Sequence, residues 1–239
     1  MTTRSLTSFF AAVAILLFPL SLSGQERGVF LPKGDISAGA QFAYLSLDSD
    51  NTNILMVIRP VSAGGSVLTL SPFAEYAYHD NRTVGARVGY TNGSAGVDNV
   101  TLDLLNEGLS FDVKDLDGRL RAWDIALFHR FYYGLDARNR LAVFLETALS
   151  FTSGRTEFSS GGAGLNRADS FKLKASFSPG LTFFIMNNVA VSGSMSLGNV
   201  SYNYAASYEN GEKTGTHQNV TGKAGLDIFG IWFGVSFHF

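Results

Sequence analysis

GIWFGVSFHF, residues 230–239, ends the chain and carries an apolar side chain at every second position, including the last. A period of two is typical of a β-strand with one apolar face. Such a strand must be paired along its edge, since an unpaired edge invites association with other chains. The segment therefore predicts the closing strand of a β-barrel, with these side chains facing lipid: Ile231, Phe233, Val235, Phe237 and Phe239.

The same period recurs in seven earlier segments, each with small or polar residues between the apolar ones. We therefore expect an all-β chain with eight strands. Ten strands remain an alternative, because Asn53–Val61 and Val100–Asn106 also have strand composition. The seven segments are Asp35–Leu47, Val67–His79, Thr83–Thr91, Arg119–Tyr133, Arg140–Phe151, Ser170–Phe184 and Val189–Ser201.

The connections between these segments alternate between short and long. His79–Arg82, Gly134–Asn139 and Met186–Asn188 have the composition of tight turns. Short turns at one end and long loops at the other are the plan of an eight-stranded antiparallel up-and-down transmembrane β-barrel. A soluble sandwich would be polar on its outer face instead. The predicted long loops are Asp48–Ser66, Asn92–Gly118, Thr152–Asp169 and Tyr202–Val220.

Composition excludes several classes of function. Only 16% of the residues are charged, against roughly 25% in ordinary soluble domains. The net charge of −2 offers no basic patch, so no nucleic-acid partner is expected. The absence of cysteine excludes disulfides and a cysteine nucleophile, and the spacing of the histidines and acidic residues suggests no metal or cofactor site.

The first residues have the layout of a secretory signal peptide. Arg4 precedes the apolar run Phe9–Leu20, which is shorter than the roughly 20 residues that a membrane-spanning helix needs. We expect a signal peptide over residues 1–24, cleaved after Ser23 or Gly24, and a barrel domain over residues 25–239. The alternative is a buried N-terminal helix.

Five segments resemble the OmpA-type transmembrane domain and related small outer-membrane β-barrels of Gram-negative bacteria. They are LSPFAEYAYHDNRTVGARVGY (Leu70–Tyr90), RFYYGL (Arg130–Leu135), FLETALSF (Phe144–Phe151), FSPGLTFFIMNNVAVSGS (Phe177–Ser194) and the terminal FGVSFHF.

This resemblance implies a place in the cell outer membrane, among its lipids and lipopolysaccharide. It also implies handling by periplasmic chaperones and the barrel assembly machinery, which would read the aromatic C-terminus as an assembly signal: Phe233, Val235, Phe237 and Phe239. OmpA-type proteins often carry a periplasmic peptidoglycan-binding domain as well. None follows the barrel in this sequence, so cell-wall anchoring is not implied.

Five charged residues fall on the predicted lumen face: Glu75, Arg87, Asp124, Arg130 and Glu146. Four of them lie at similar depth when counted from the short turns, whereas Asp124 lies higher. Opposite charges in a narrow lumen should pair, because an unpaired charge there is expensive. We interpret the cluster as a plug of salt bridges, with an ion gate as the alternative. Both exclude a wide resting channel.

The sequence predicts no catalytic residues. Ser236 and His238 share the lumen face two residues apart, but the sequence places no acid beside them. The favoured function is structural or surface-interacting, through the long loops, whose external ligand the sequence does not specify. A narrow gated channel for ions or small solutes is the alternative, and an outer-membrane enzyme is a third.

Overall fold

A computed structural model describes residues 29–48, 62–98, 100–101, 112–113, 116–160, 163–209 and 212–239. The predicted signal peptide, residues 1–24, and the candidate strand at 53–61 lie outside these residues. None of the described residues forms a helix long and apolar enough to cross a membrane.

Eight antiparallel strands form a closed ring, which confirms the up-and-down barrel. Of the candidate strand Val100–Asn106, the structure describes only Val100–Thr101, which pairs with Asp112–Val113 in a separate two-stranded sheet. The ring therefore has eight strands and not ten. The strands are β1 (Ile36–Asp48), β2 (Ser62–His79), β3 (Arg82–Asp98), β4 (Val100–Thr101), β5 (Asp112–Val113), β6 (Leu116–Gly134), β7 (Leu141–Ser160), β8 (Ala163–Met186), β9 (Val189–Glu209) and β10 (Glu212–His238).

The barrel is apolar outside and partly polar inside. On β2, for example, Tyr76 is 45% exposed on the outer face, whereas its neighbour Glu75 is 4% exposed in the lumen. Water would tolerate so large a continuous apolar surface poorly, but lipid solvates it. Exposed apolar residues around the ring include Ile36, Phe42, Leu70, Val84, Val88, Ile125, Leu127, Leu181, Phe183, Phe233 and Phe237.

The C-terminal strand closes the ring. The register between β1 and β10 extends from Ser37 opposite His238 to Phe42 opposite Phe233. Beyond it, Ile36 and Phe239 exchange two backbone hydrogen bonds, of 3.2 and 2.9 Å. The last residue of the chain is therefore part of the sheet pairing, although its side chain is 79% exposed.

The short connections use asparagine and aspartate to turn the chain. Asn81 and Asn139 adopt positive φ angles of 58° and 53°, a region that asparagine tolerates better than most residues. The Asp136 carboxylate accepts hydrogen bonds from the backbone N–H groups of Leu141 and Arg140, and these bonds hold its pKa below the usual range. Because the strands alternate in direction, these turns lie at one end of the barrel, together with the first residues of β1 and the last residues of β10.

All four segments predicted as long loops contain strand residues: residues 62–66 begin β2, residues 92–98 end β3 and residues 116–118 begin β6. The other two segments are strand extensions. Thr152–Asp169 is a hairpin in which β7 reaches Ser160 and β8 starts at Ala163. Tyr202–Val220 is likewise a hairpin, in which β9 reaches Glu209 and β10 starts at Glu212. The loop prediction was wrong there because strands beyond the membrane have water on their exposed faces, so they need no apolar alternation.

Three glycine–phenylalanine pairs across adjacent strands fill the lumen. The in-register pairs are Gly39 with Phe73, Gly85 with Phe128, and Gly180 with Phe144. A ring laid against a glycine buries the exposed backbone there, a device known to support β-sheets. The fit is tight: a Cβ atom on Gly85 would lie 2.4 Å from Cζ of Phe128 and 2.6 Å from the carbonyl oxygen of Ala74.

The fold predicts that Gly85→Ala lowers the free energy of unfolding by about 1–3 kcal/mol, as overpacking commonly does. The matched control is Gly215→Ala, where an added Cβ meets nothing within 4 Å. Urea titrations of the refolded proteins, read by the mobility of unheated samples on gels, would compare the two. Equal stabilities would show that the ring of Phe128 does not occupy the space above Gly85.

Candidate functional site

Arg130, on β6, lies at the centre of the lumen charge cluster. Its side chain is only 3% exposed and meets two carboxylates. Nε donates to Oε2 of Glu146 at 2.8 Å, and Nη1 donates to Oε1 of Glu75 at 3.2 Å. A guanidinium is suited to this position because it stays charged and can donate in several directions at once.

The three lumen phenylalanines surround the same guanidinium. Cζ of Arg130 lies 4.6 Å from the ring centroid of Phe128 and 5.1 Å from those of Phe73 and Phe144. Nη2 of Arg130 is buried without a hydrogen-bond acceptor among the described residues. Cation–π attraction to the surrounding rings compensates in part for the lost hydration.

The remaining members complete a neutral network. Arg87 donates to Oε1 of Glu146 at 2.7 Å and to Gln41 at 3.2 Å. The two arginines and two glutamates balance in charge. Ser37, Thr83 and Tyr132 donate hydrogen bonds to the Glu75 carboxylate at 3.0, 2.8 and 3.3 Å. The sequence did not predict these neutral partners, because single polar residues on the lumen face form no distinctive pattern.

Asp124 takes no part in the ion pairs found among the described residues. It lies opposite Gly89 on β3 and Thr152 on β7, on the long-hairpin side of the network. The missing side chain of Gly89 leaves room for its carboxylate, since a Cβ there would lie 1.8 Å from Oδ1 of Asp124. Four of the five predicted residues are thus brought together, and the fifth lies apart.

A short segment before β1 covers the lumen at the end with the tight turns. Phe30 and Leu31 are 5% and 2% exposed, and their backbone N–H groups donate to Oδ1 of Asn81 at 2.8 and 3.0 Å. The Phe30 ring lies 5.8 Å from that of Tyr132, beneath the charge cluster. Sequence reasoning missed this cover; the isolated apolar Val29–Leu31 just before the first strand was its only signal.

A series of hydrogen-bonded side chains joins the end of β10 to the residue before β1. Ser236 Oγ lies 3.1 Å from Nε2 of His238, whose Nδ1 lies 3.1 Å from Oδ2 of Asp35. The sequence could not place this acid, because Asp35 is 203 positions from His238. A cavity of about 540 Å³ borders Asp35 and His238 but not Ser236. Elsewhere in the described residues, no group of three or more acidic or histidine side chains could hold a metal ion.

The closed ring, the apolar outer face and the plugged lumen together decide where the chain lies. A membrane-spanning sheet must close, because lipid offers no partner to an edge strand. An even-stranded barrel with short turns at one end and longer hairpins at the other is the architecture of bacterial outer-membrane proteins. The protein is an integral outer-membrane β-barrel.

No family model matches the chain, and no curated protein matches it. Among solved structures, OprG from Pseudomonas aeruginosa is similar, with a TM-score of 0.46, 15% identity and coverage of 89% of this chain and 99% of that one. A major outer membrane protein from Thermus thermophilus has a TM-score of 0.44, 9% identity and coverages of 86% and 99%. Ail of Yersinia pestis has a TM-score of 0.35, 16% identity and coverages of 87% and 99%.

The geometry predicts that Arg130→Met destabilises the barrel by about 3–5 kcal/mol, since it leaves two buried carboxylates without their shared partner. Arg87→Met should cost less, because the Arg87 side chain is 16% exposed and water can replace part of its contacts. Arg138→Met, in an exposed turn, is the control for losing a positive charge. Unfolding free energies in urea would rank the three. An Arg130→Met loss no larger than that of Arg138→Met would contradict the plug.

Proposed function

We propose that this protein is an outer-membrane barrel of the OmpA type with a structural or surface-interaction role. The observation that carries the proposal is the closed lumen. Arg130, its two glutamates and three phenylalanine rings fill the cross-section at one level. Phe30 and Leu31 cover it at a second level. Two stacked barriers leave the outer surface and the hairpins as the parts available for contact.

The second support is the reach of the hairpins. Phe151 is 44% exposed at the upper part of the apolar face, and β7 continues nine residues beyond it to Ser160. At about 3.3 Å per residue the strand extends on the order of 30 Å further. In this proposal the hairpins of β7–β8 and β9–β10 are the surface that meets a partner outside the cell.

The proposed partners during assembly follow from the C-terminal strand. Periplasmic chaperones would hold the unfolded chain, and the barrel assembly machinery would recognise the aromatic end, through the outward side chains Phe233, Val235, Phe237 and Phe239. In the mature state, outer-membrane lipid and lipopolysaccharide would surround the barrel. The exposed outer faces of this strand support the assignment, because they are available until the strand inserts.

A narrow gated channel is the alternative. Its support is the uneven burial of the network: the Arg87 side chain is 16% exposed, whereas that of Arg130 is 3% exposed. Arg87 could exchange Glu146 for another partner at little cost. Opening the lumen fully would still require breaking the buried ion pairs of Arg130 with Glu75 and Glu146. The resting state is therefore closed whether the protein is structural or a gated channel.

Planar bilayer recording tests the proposal. The wild-type barrel should give no stable single-channel steps, because both barriers are intact. A variant that opens the lumen cover and cluster together, F30S/L31S/R130S, should conduct if it folds. Its matched control, R138S at an exposed turn, should stay silent. Reproducible single-channel conductance steps from the wild-type protein would contradict the structural proposal and favour the channel.

One specific observation favours an enzymatic role: Ser236, His238 and Asp35 form a hydrogen-bonded set. A hydrolase also needs an accessible nucleophile and free N–H donors for the oxyanion. Ser236 does not border the cavity, and the N–H groups of His238 and Phe239 are bonded to Asn188 and Ile36. The set is better suited to tie the end of β10 to the residue before β1.

This interpretation predicts that a fluorophosphonate probe leaves Ser236 unlabelled in the folded barrel. Asp35→Asn should lower the free energy of unfolding by about 1–3 kcal/mol, because it weakens a mostly buried charge-assisted bond to His238. Mass spectrometry of the probe-treated protein and urea titration give the two readouts, with Asp80→Asn as an exposed control. Labelling at Ser236 that disappears in His238→Ala would instead support the enzyme.

A further inference from the structure

The outer face of β6, β7 and β8 carries two rows of charged side chains on the long-hairpin side. In the lower row, Arg121 lies opposite Arg155, and Arg155 lies opposite Asp169. In the upper row, Glu157 lies opposite both Arg119 and Arg167. These six residues, which we call the outer charged patch, share one face because each is two positions from the next along its strand.

The patch lies immediately beyond the aromatic rim of the apolar face. Trp123 is 60% exposed and lies two residues below Arg121, about 7 Å along the strand. Its ring packs at a tilt against that of Tyr90, with 4.6 Å between centroids. Phe151 and Phe171 form a second aromatic pair on β7 and β8, at 4.4 Å. Aromatic side chains gather where hydrocarbon meets headgroups, so the outer charged patch lies at headgroup level.

The charges of the patch do not balance. Four arginines face two carboxylates, which leaves a net charge of +2. Arg155 and Arg167 share Asp169, with Nε to Oδ1 distances of 3.1 and 2.9 Å. Their hydrogen bonds hold the pKa of Asp169 below its usual range, so it stays ionised and cannot neutralise more than one of them.

The remaining imbalance is concentrated at the pair Arg121 and Arg155. Like charges directly opposite each other in a sheet are destabilising unless an anion lies between them. On the neighbouring strand β3, Asn92 lies opposite Arg121 and Ser94 lies opposite Arg119. Both residues are uncharged, so β3 provides no anion at these positions. The Arg155 side chain is 52% exposed and residue 121 is also exposed, so an anion from the membrane can reach both.

We propose that the outer charged patch binds the phosphate groups of a phosphorylated glycolipid headgroup in the outer leaflet. Guanidinium groups suit this ligand because they donate two parallel hydrogen bonds to phosphate oxygens. Arg121 and Arg155 hold one phosphate between them, the acyl chains lie along the apolar face below, and Arg119 and Arg167 flank the sugar. The inference rests on the proposed function, since it requires the hairpins to be on the outer side.

Titration of the refolded protein with bis-phosphorylated lipid A in neutral micelles tests the site. The chain has two tryptophans, so the Trp232→Phe variant leaves Trp123 beside the patch as the only tryptophan, whose fluorescence can be excited selectively over that of tyrosine. In that background, R121Q/R155Q should bind lipid A about 30-fold more weakly, from the contribution of two arginines at a charged membrane surface. Asp169→Asn should bind about fivefold more tightly, because it removes a competing anion.

The matched control is R138Q/R140Q, which removes two exposed arginines at the opposite end of the barrel and should bind as the parent does. Dephosphorylated lipid A should bind weakly to every variant. Equal binding of both lipid forms, or an unchanged affinity in R121Q/R155Q, would overturn the proposal. Competition by millimolar inorganic phosphate would show a general anion site and would overturn the lipid assignment.

If R121Q/R155Q does not refold, Asp169→Asn still tests the site, because it is expected to raise the affinity for lipid A where the arginine variants lower it. The unfolding temperature of the parent in phosphatidylcholine vesicles with and without lipid A gives a second measurement, and no increase would count against the site. Failure here would leave the closed lumen untouched, since that is measured by conductance.

Discussion

One buried guanidinium holds the inside of this barrel together. Eight strands enclose a lumen just wide enough for side chains, so whatever fills it must satisfy both shape and charge. Arg130 does both: it binds Glu75 and Glu146, and three phenylalanine rings surround it. Each of those rings lies against a glycine of a neighbouring strand, so the ion pairs and the packing of the sheet depend on one another.

This mutual dependence explains why the lumen is closed and not merely narrow. Removing a ring would expose the guanidinium, and removing the guanidinium would leave carboxylates buried without a partner. The segment that carries Phe30 and Leu31 adds a second closure, tied through Asn81 to the turn between β2 and β3. Because the interior is closed, the outer surface is the part of the barrel that remains accessible, and the unbalanced charges of the outer charged patch lie there.

The sequence predicted the membrane part of the fold well, because lipid imposes a simple rule on every strand. Alternation identified all eight barrel strands, and the depth of Glu75, Arg87, Arg130 and Glu146 predicted their meeting. The rule ends where the membrane ends, so the extensions of β7, β8, β9 and β10 looked like loops. Contacts between distant segments were equally hidden: nothing in the spacing links Asp35 to His238 or Phe30 to Tyr132.

Arg130 and Glu146 stabilise the barrel through their contact and not separately. A double-mutant cycle of R130M, E146Q and R130M/E146Q, measured as unfolding free energies in urea, isolates that contact. We expect the double variant to be more stable than the sum of the two single losses would give, with a coupling of about 2 kcal/mol or more. Additive losses would contradict it, because they would show that the two charges do not act as a pair.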